Sequence, residues 1–207
     1  MKRLILAGLG VLLAHWVAEA QILKFGARVG LNTGVYDFEQ VYTEAGVVMP
    51  VADRCGGYQV GALMRLSIPH FLYIQPELDV QTRDLSFGVK QEGEPIQYKN
   101  IRVVRLELPV MLGFNIAAAH FFAGPVWHIS TRQHSRGSSA TPLELRFDDN
   151  DVAAMAGAAI DFDGIFMEVR YMRYLRQTDV EMRVATQSAV VDVSNDDMLQ
   201  ISFGVLF

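Results

Sequence analysis

Apolar residues fall on every second position along eight separate stretches of this chain, and that periodicity constrains the fold more than any other feature. A strand turns successive side chains to opposite faces, so strict alternation marks a β-strand with one apolar and one polar face. In Lys24–Val35 the apolar face reads Phe25, Ala27, Val29, Leu31, Thr33 and Val35, against Arg28, Gly30 and Asn32 on the other. The pattern recurs in Gly57–Ile68, Phe71–Gln81, Arg102–Ile116, His120–Ser130, Val152–Phe162, Ile165–Tyr174 and Leu199–Phe207. Each stretch is long enough to cross a bilayer as a tilted strand.

The connections alternate as regularly as the strands. Long ones (Tyr36–Gly56, Arg83–Asn100, Arg132–Asp151, Gln177–Asp197) exchange with short ones (Pro69-His70, Ala117–Ala119, Asp163-Gly164). That asymmetry predicts an all-β fold: an eight-stranded antiparallel up-and-down transmembrane β-barrel with long extracellular loops and short periplasmic turns. Composition agrees. The chain is 51% apolar with a mean hydropathy of +0.19, yet beyond its first twenty residues no apolar run is long enough for a membrane helix. A soluble barrel would turn its apolar residues inward and would show no loop asymmetry. One cysteine excludes a disulfide scaffold, and a net charge of −5 without basic clusters excludes nucleic acid as a partner.

Residues 1–20 are expected to be a signal peptide, leaving residues 21–207 as the barrel domain. Lys2 and Arg3 precede the apolar stretch Leu4–Ala14, and Ala18-Glu19-Ala20 is a small-x-small cleavage site. The protein is therefore expected to be exported to the cell outer membrane, with lipid as its first partner.

The polar faces then line a narrow lumen. Its bases are Arg28, Arg65, Arg105, Arg170 and Arg176, and its acids Glu77, Asp79, Glu107, Asp161 and Glu168. An eight-stranded barrel is just wide enough for side chains to fill, so these charges are expected to pair and close the lumen. Glu168 and Arg170 are expected to find partners on other strands (Asp161, Glu77, Glu107, Arg105) and not each other. Pro76 and Pro109 lack a ladder donor, so each predicts a bulge or a break in pairing.

Catalytic residue types are present without a catalytic pattern. His120, His128 and His134 lie on or near the fifth strand, and His128 and Ser130, two positions apart, are expected to share a face. Ser135, Ser138, Ser139, Asp148, Asp149 and Asp151 read as a solvated loop, with no G-x-S-x-G elbow and no EF-hand spacing. No catalytic residue, metal site or cofactor is expected, and Cys55 has no partner.

Two further features bear on assembly and family. The last strand alternates to Phe203, Val205 and a terminal Phe207, which resembles the C-terminal signal by which the barrel-assembly machinery recognises outer-membrane barrels. The runs Leu72-Tyr-Ile-Gln-Pro-Glu-Leu, Leu106-Glu-Leu-Pro-Val-Met-Leu-Gly-Phe, Phe122-Ala-Gly-Pro-Val and Met167-Glu-Val-Arg-Tyr occur in this order. Their order resembles the PorT-like small outer-membrane β-barrel family of Bacteroidetes. The resemblance implies a non-enzymatic structural or interaction role, accessory to envelope or secretion assembly, with envelope proteins as partners. The alternatives are a narrow porin-like channel and a membrane-embedded lipid-modifying enzyme.

Overall fold

Among the described residues, period-two alternation folds into thirteen strands, all paired antiparallel. The computed structural model describes residues 23–36, 41–43, 46–50, 54–68, 71–90, 95–136, 143–147, 152–175, 178–184, 187–193 and 196–207. The strands are β1 (Leu23–Tyr36), β2 (Val41–Thr43), β3 (Gly46–Pro50), β4 (Arg54–Ile68), β5 (Leu72–Lys90), β6 (Gln97–Ile116), β7 (Ala119–Arg136), β8 (Leu143–Phe147), β9 (Val152–Phe162), β10 (Ile165–Tyr174), β11 (Thr178–Val184), β12 (Gln187–Val193) and β13 (Asp196–Leu206). Eight of them, β1, β4, β5, β6, β7, β9, β10 and β13, form a ring in which each pairs with the next. The first and last close it: Phe207 N donates to Phe25 O at 2.8 Å, and Phe25 N to Phe207 O at 3.1 Å. Residues 1–20, Pro69-His70 and Arg176 lie outside the described residues.

The eight stretches of alternation coincide with the eight ring strands, and their apolar faces point outward. Leu31, Leu112, Ile165 and Phe203 are all more than half exposed on this outer wall. Such a wall is stable only against hydrocarbon. Between β9 and β10 the turn is tight: Asp163 and Gly164 both have positive φ (53° and 83°), as a two-residue type I′ hairpin requires.

The long connections differ from expectation, because much of them is strand. β5 runs on to Lys90 and β6 begins at Gln97, so most of Arg83–Asn100 is a paired hairpin. The other long connections contain β2 and β3, the end of β7 with β8, and β11 with β12. Alternation persists through the β5–β6 extension, but its polarity inverts. Outward positions become Asp84, Lys90, Asn100 and Arg102, while Leu85, Phe87, Val89, Ile101 and Val103 are buried inside. Charge replaces hydrocarbon contact at Asp84 and Arg102, whose bidentate pair (2.5 and 2.6 Å) marks the outer edge of the membrane belt. Beyond that edge Lys99 turns inward among the apolar residues, and burial pushes its ammonium pKa down.

Three prolines interrupt the ladder without shifting it. β4–β5 pairing skips from Leu63↔Glu77 to Leu66↔Ile74 around Pro76, and β5–β6 skips from Pro76↔Val110 to Asp79↔Glu107 around Pro109. β6–β7 likewise skips from Pro109↔Val126 to Leu112↔Ala123 around Pro125. These are breaks and not bulges, since a missing N–H removes a bond but adds no residue. The bulge lies elsewhere: Glu107 pairs with His128 but Leu106 with Ser130, leaving Ile129 as the extra residue.

Candidate functional site in the barrel lumen

Inward positions of β1, β5 and β10 bring Arg28, Glu77, Asp79, Glu168 and Arg170 into one fully enclosed cluster. Arg170 forks onto Glu77, with Nη1 donating to Oε2 at 2.7 Å and Nη2 to Oε1 at 2.8 Å, and Nη2 also donates to Glu168 at 2.9 Å. Arg28 donates to Glu168 at 2.7 Å, lies 3.0 Å from Glu77 and grips both oxygens of Asp79. Planar guanidinium forks suit such shared carboxylates, because each N–H has a defined direction.

Small residues make these reaches short enough. Gly61 stands in register between Arg28 and Asp79. A Cβ there would overlap the Asp79 carboxylate and stand 3.2 Å from Arg28 Nε. Gly30 separates Gln59 from Ser202 in the same way, and across it Gln59 Nε2 donates to Ser202 Oγ at 2.9 Å.

Two further groups lie below and above. On the side of the short turns, Arg65 donates to Gln75 at 2.6 Å, stacks over the Tyr73 ring at 4.5 Å and reaches Asp161 at 3.9 Å. His120 lies 2.6 Å from Asn115 Oδ1 and 3.6 Å from Asp161. Gln75 Nε2 donates to Glu77 at 2.6 Å, linking this group to the central cluster. On the other side, His128 Nε2 lies 2.8 Å from both Glu107 Oε1 and Tyr174 Oη. Arg105 and Arg83 donate to the same phenol oxygen at 2.5 and 3.2 Å.

The expected partners therefore need correction. Glu168 and Arg170 pair with each other, at 2.8 Å from Nε to Oε1, because both face a crowded centre where their long side chains converge. Asp161 serves Arg65 and His120, while Arg105 and Glu107 belong to the upper group, one layer away from the central cluster. The lumen is also not uniformly polar. Met111, Phe122, Val126, Met155, Met172 and Met198 are buried together beside the charged cluster, with Tyr73, and Arg170 stacks over the Phe122 ring at 4.9 Å. The signal was present in the alternation, whose inward faces on the fifth to seventh stretches are rich in Met, Phe and Val.

The Ser–His arrangement is absent. The bulge at Ile129 places Ser130 opposite outward-facing Leu106, whereas His128 stays opposite Glu107 in the lumen. His134 is exposed, and Ser138, Ser139, Asp148, Asp149 and Asp151 lie outside the described residues.

Likeness to known proteins follows the same lines as the geometry. OprG from Pseudomonas aeruginosa superposes with a TM-score of 0.58 at 13% identity, covering 89% of this chain and 95% of that one. AlkL in DMPC bilayers gives a TM-score of 0.48 at 10% identity, over 89% of this chain and 90% of that one. No curated protein matches the sequence. The match that carries family membership is of sequence, over residues 19–179, to the family described as outer membrane protein beta-barrel domain. With an apolar outer wall, a closed eight-strand ring and that match in hand, the chain belongs to the outer membrane protein beta-barrel domain family and is an outer-membrane β-barrel protein.

Proposed function

We propose that this barrel is a closed membrane anchor with a non-enzymatic structural role, displaying its strand extensions outside the membrane to other envelope proteins. One observation carries the reading: Arg28, Glu77, Asp79, Glu168 and Arg170 interlock across the lumen at almost zero exposure. Ions moving through would have to separate buried charge pairs, at a cost that a permanently open pore does not carry. The extensions support the display role, because β5 and β6 continue as a paired hairpin well beyond the Asp84–Arg102 edge of the membrane belt.

The PorT-like order of motifs supports the finer role, an accessory to envelope or secretion assembly. Residues 1–20 serve as the export signal, and the ending Phe203, Val205, Phe207 as the mark read by the barrel-assembly machinery. Two measurements test this. Liposomes carrying the refolded protein should not swell in gradients of small sugars or amino acids. A photo-crosslinker at exposed Tyr98 should capture a defined envelope protein in intact cells, while one at lipid-facing Phe114 captures none. Rapid swelling favours the narrow channel, and equal capture at both positions removes the display role.

A further inference from the structure

Three of the buried methionines form a row. Met172 on β10 is the cross-strand partner of Met198 on β13 and of Met155 on β9. All three face the lumen and are at most 2% exposed. Directly opposed residues of antiparallel strands hold their Cβ atoms about 4.5–5.5 Å apart, a span that flexible side chains ending in sulfur close easily. The next positions in register are Gly34 beyond Met198 and Gly124 beyond Met155.

One inward position below Met172 lies Arg170, and with it the central cluster. That cluster sets three carboxylates (Glu77, Asp79, Glu168) against two guanidiniums (Arg28, Arg170), and one inward position above the row Tyr174 gathers Arg83 and Arg105 with Glu107, so the two flanking layers balance in formal charge. Filling space explains one or two methionines, which adapt to irregular gaps. It does not explain three at one level, where leucine would pack as well. Thioethers are neutral, polarizable ligands that select soft ions such as Cu(I) over hard ones. Among the described residues no group of His, Cys, Asp or Glu is arranged to hold a metal, so borderline and hard ions lack a donor set.

We propose that Met155, Met172 and Met198 form a binding site for one soft monovalent cation of the Cu(I) or Ag(I) class. The three sulfurs supply the ligands. Arg170 Nη1 now lies 3.5 Å from Met155 Sδ. On binding it gives up that weak contact and keeps its bonds to Glu77 and Glu168.

Ag(I), which needs no reductant, is the probe. Folded full-length protein in detergent is titrated by calorimetry in a Cys55→Ser background, which removes the only thiol of the chain. The expected result is one saturable equivalent, weakened at least tenfold by combined Met155→Leu, Met172→Leu and Met198→Leu. Met64→Leu with Met167→Leu, on the outer wall, should leave binding unchanged. Met-to-Leu exchange conserves volume, so the triple variant should fold, read by its heat-modifiable gel shift. If it does not fold, X-ray absorption of the Ag(I)-loaded Cys55→Ser protein decides: a sulfur shell supports the site and an oxygen or nitrogen shell overturns it. Absence of saturable binding, or full affinity in the folded triple variant, also overturns it.

Discussion

Arg170 is the residue on which the lumen turns, since its fork holds Glu77 and its flank holds Glu168. Removing it leaves buried carboxylates without compensation, so Arg170→Ala should cost about 3–5 kcal/mol of stability. Arg173, three positions on, is exposed and lies 3.7 Å from Asp197; Arg173→Ala should cost less than about 1 kcal/mol. Urea unfolding in lipid reads both, and equal midpoints for the two variants would contradict the arrangement. Gly61→Ala puts a methyl group into the Arg28–Asp79 pair. It should destabilise by about 1–3 kcal/mol, in contrast to Gly56→Ala, where the nearest atom to a Cβ is 3.9 Å away. Which charges face inward was legible in the alternation. Which of them meet was not, because partners across a barrel depend on the stagger of its strands, which no local pattern records.

At the level of the strand, register is the testable quantity, since a slip of one residue exchanges the two faces. Leu108 faces lipid and Met111 is fully buried in the lumen. A fluorophore at 108 should be quenched by a lipid-phase nitroxide and one at 111 should not. Leu108→Arg should cost about 2–4 kcal/mol if it lies near the bilayer midplane. The breaks around Pro76, Pro109 and Pro125 lie on neighbouring strands and remove ladder bonds from one patch of wall. Amides at 110–112 of β6 should therefore exchange hydrogen faster than those at 28–32 of β1, whose pairing on both sides is continuous. Uniform protection would place the weakness elsewhere. The eight ring strands were legible because membrane burial enforces alternation. The β5–β6 extension is masked in the sequence because its alternation continues with opposite polarity, Leu85, Phe87 and Val89 turning inward where Gln81 and Asp79 do so lower in the strand. The bulge at Ile129 had no sequence signal, and it alone removes the His128–Ser130 pair.

For the whole molecule, sidedness and closure are the claims that matter. Protease added to intact cells should cut within the connection at 91–94, beyond the β5–β6 extension, and should spare the tight turn at Asp163-Gly164. The opposite pattern would invert the barrel. Family and fold place the chain in the outer membrane, and a lumen that joins a charged cluster from β1, β5 and β10 to a methionine-rich apolar cluster gives that barrel its particular character. Closure is tested most directly by single-channel recording in planar bilayers. The intact protein should insert without discrete open levels across the voltage range, while Arg28→Ala combined with Arg170→Ala, if it folds, should admit small ionic currents. Stable open levels from the intact protein would contradict a lumen closed by its own ion pairs.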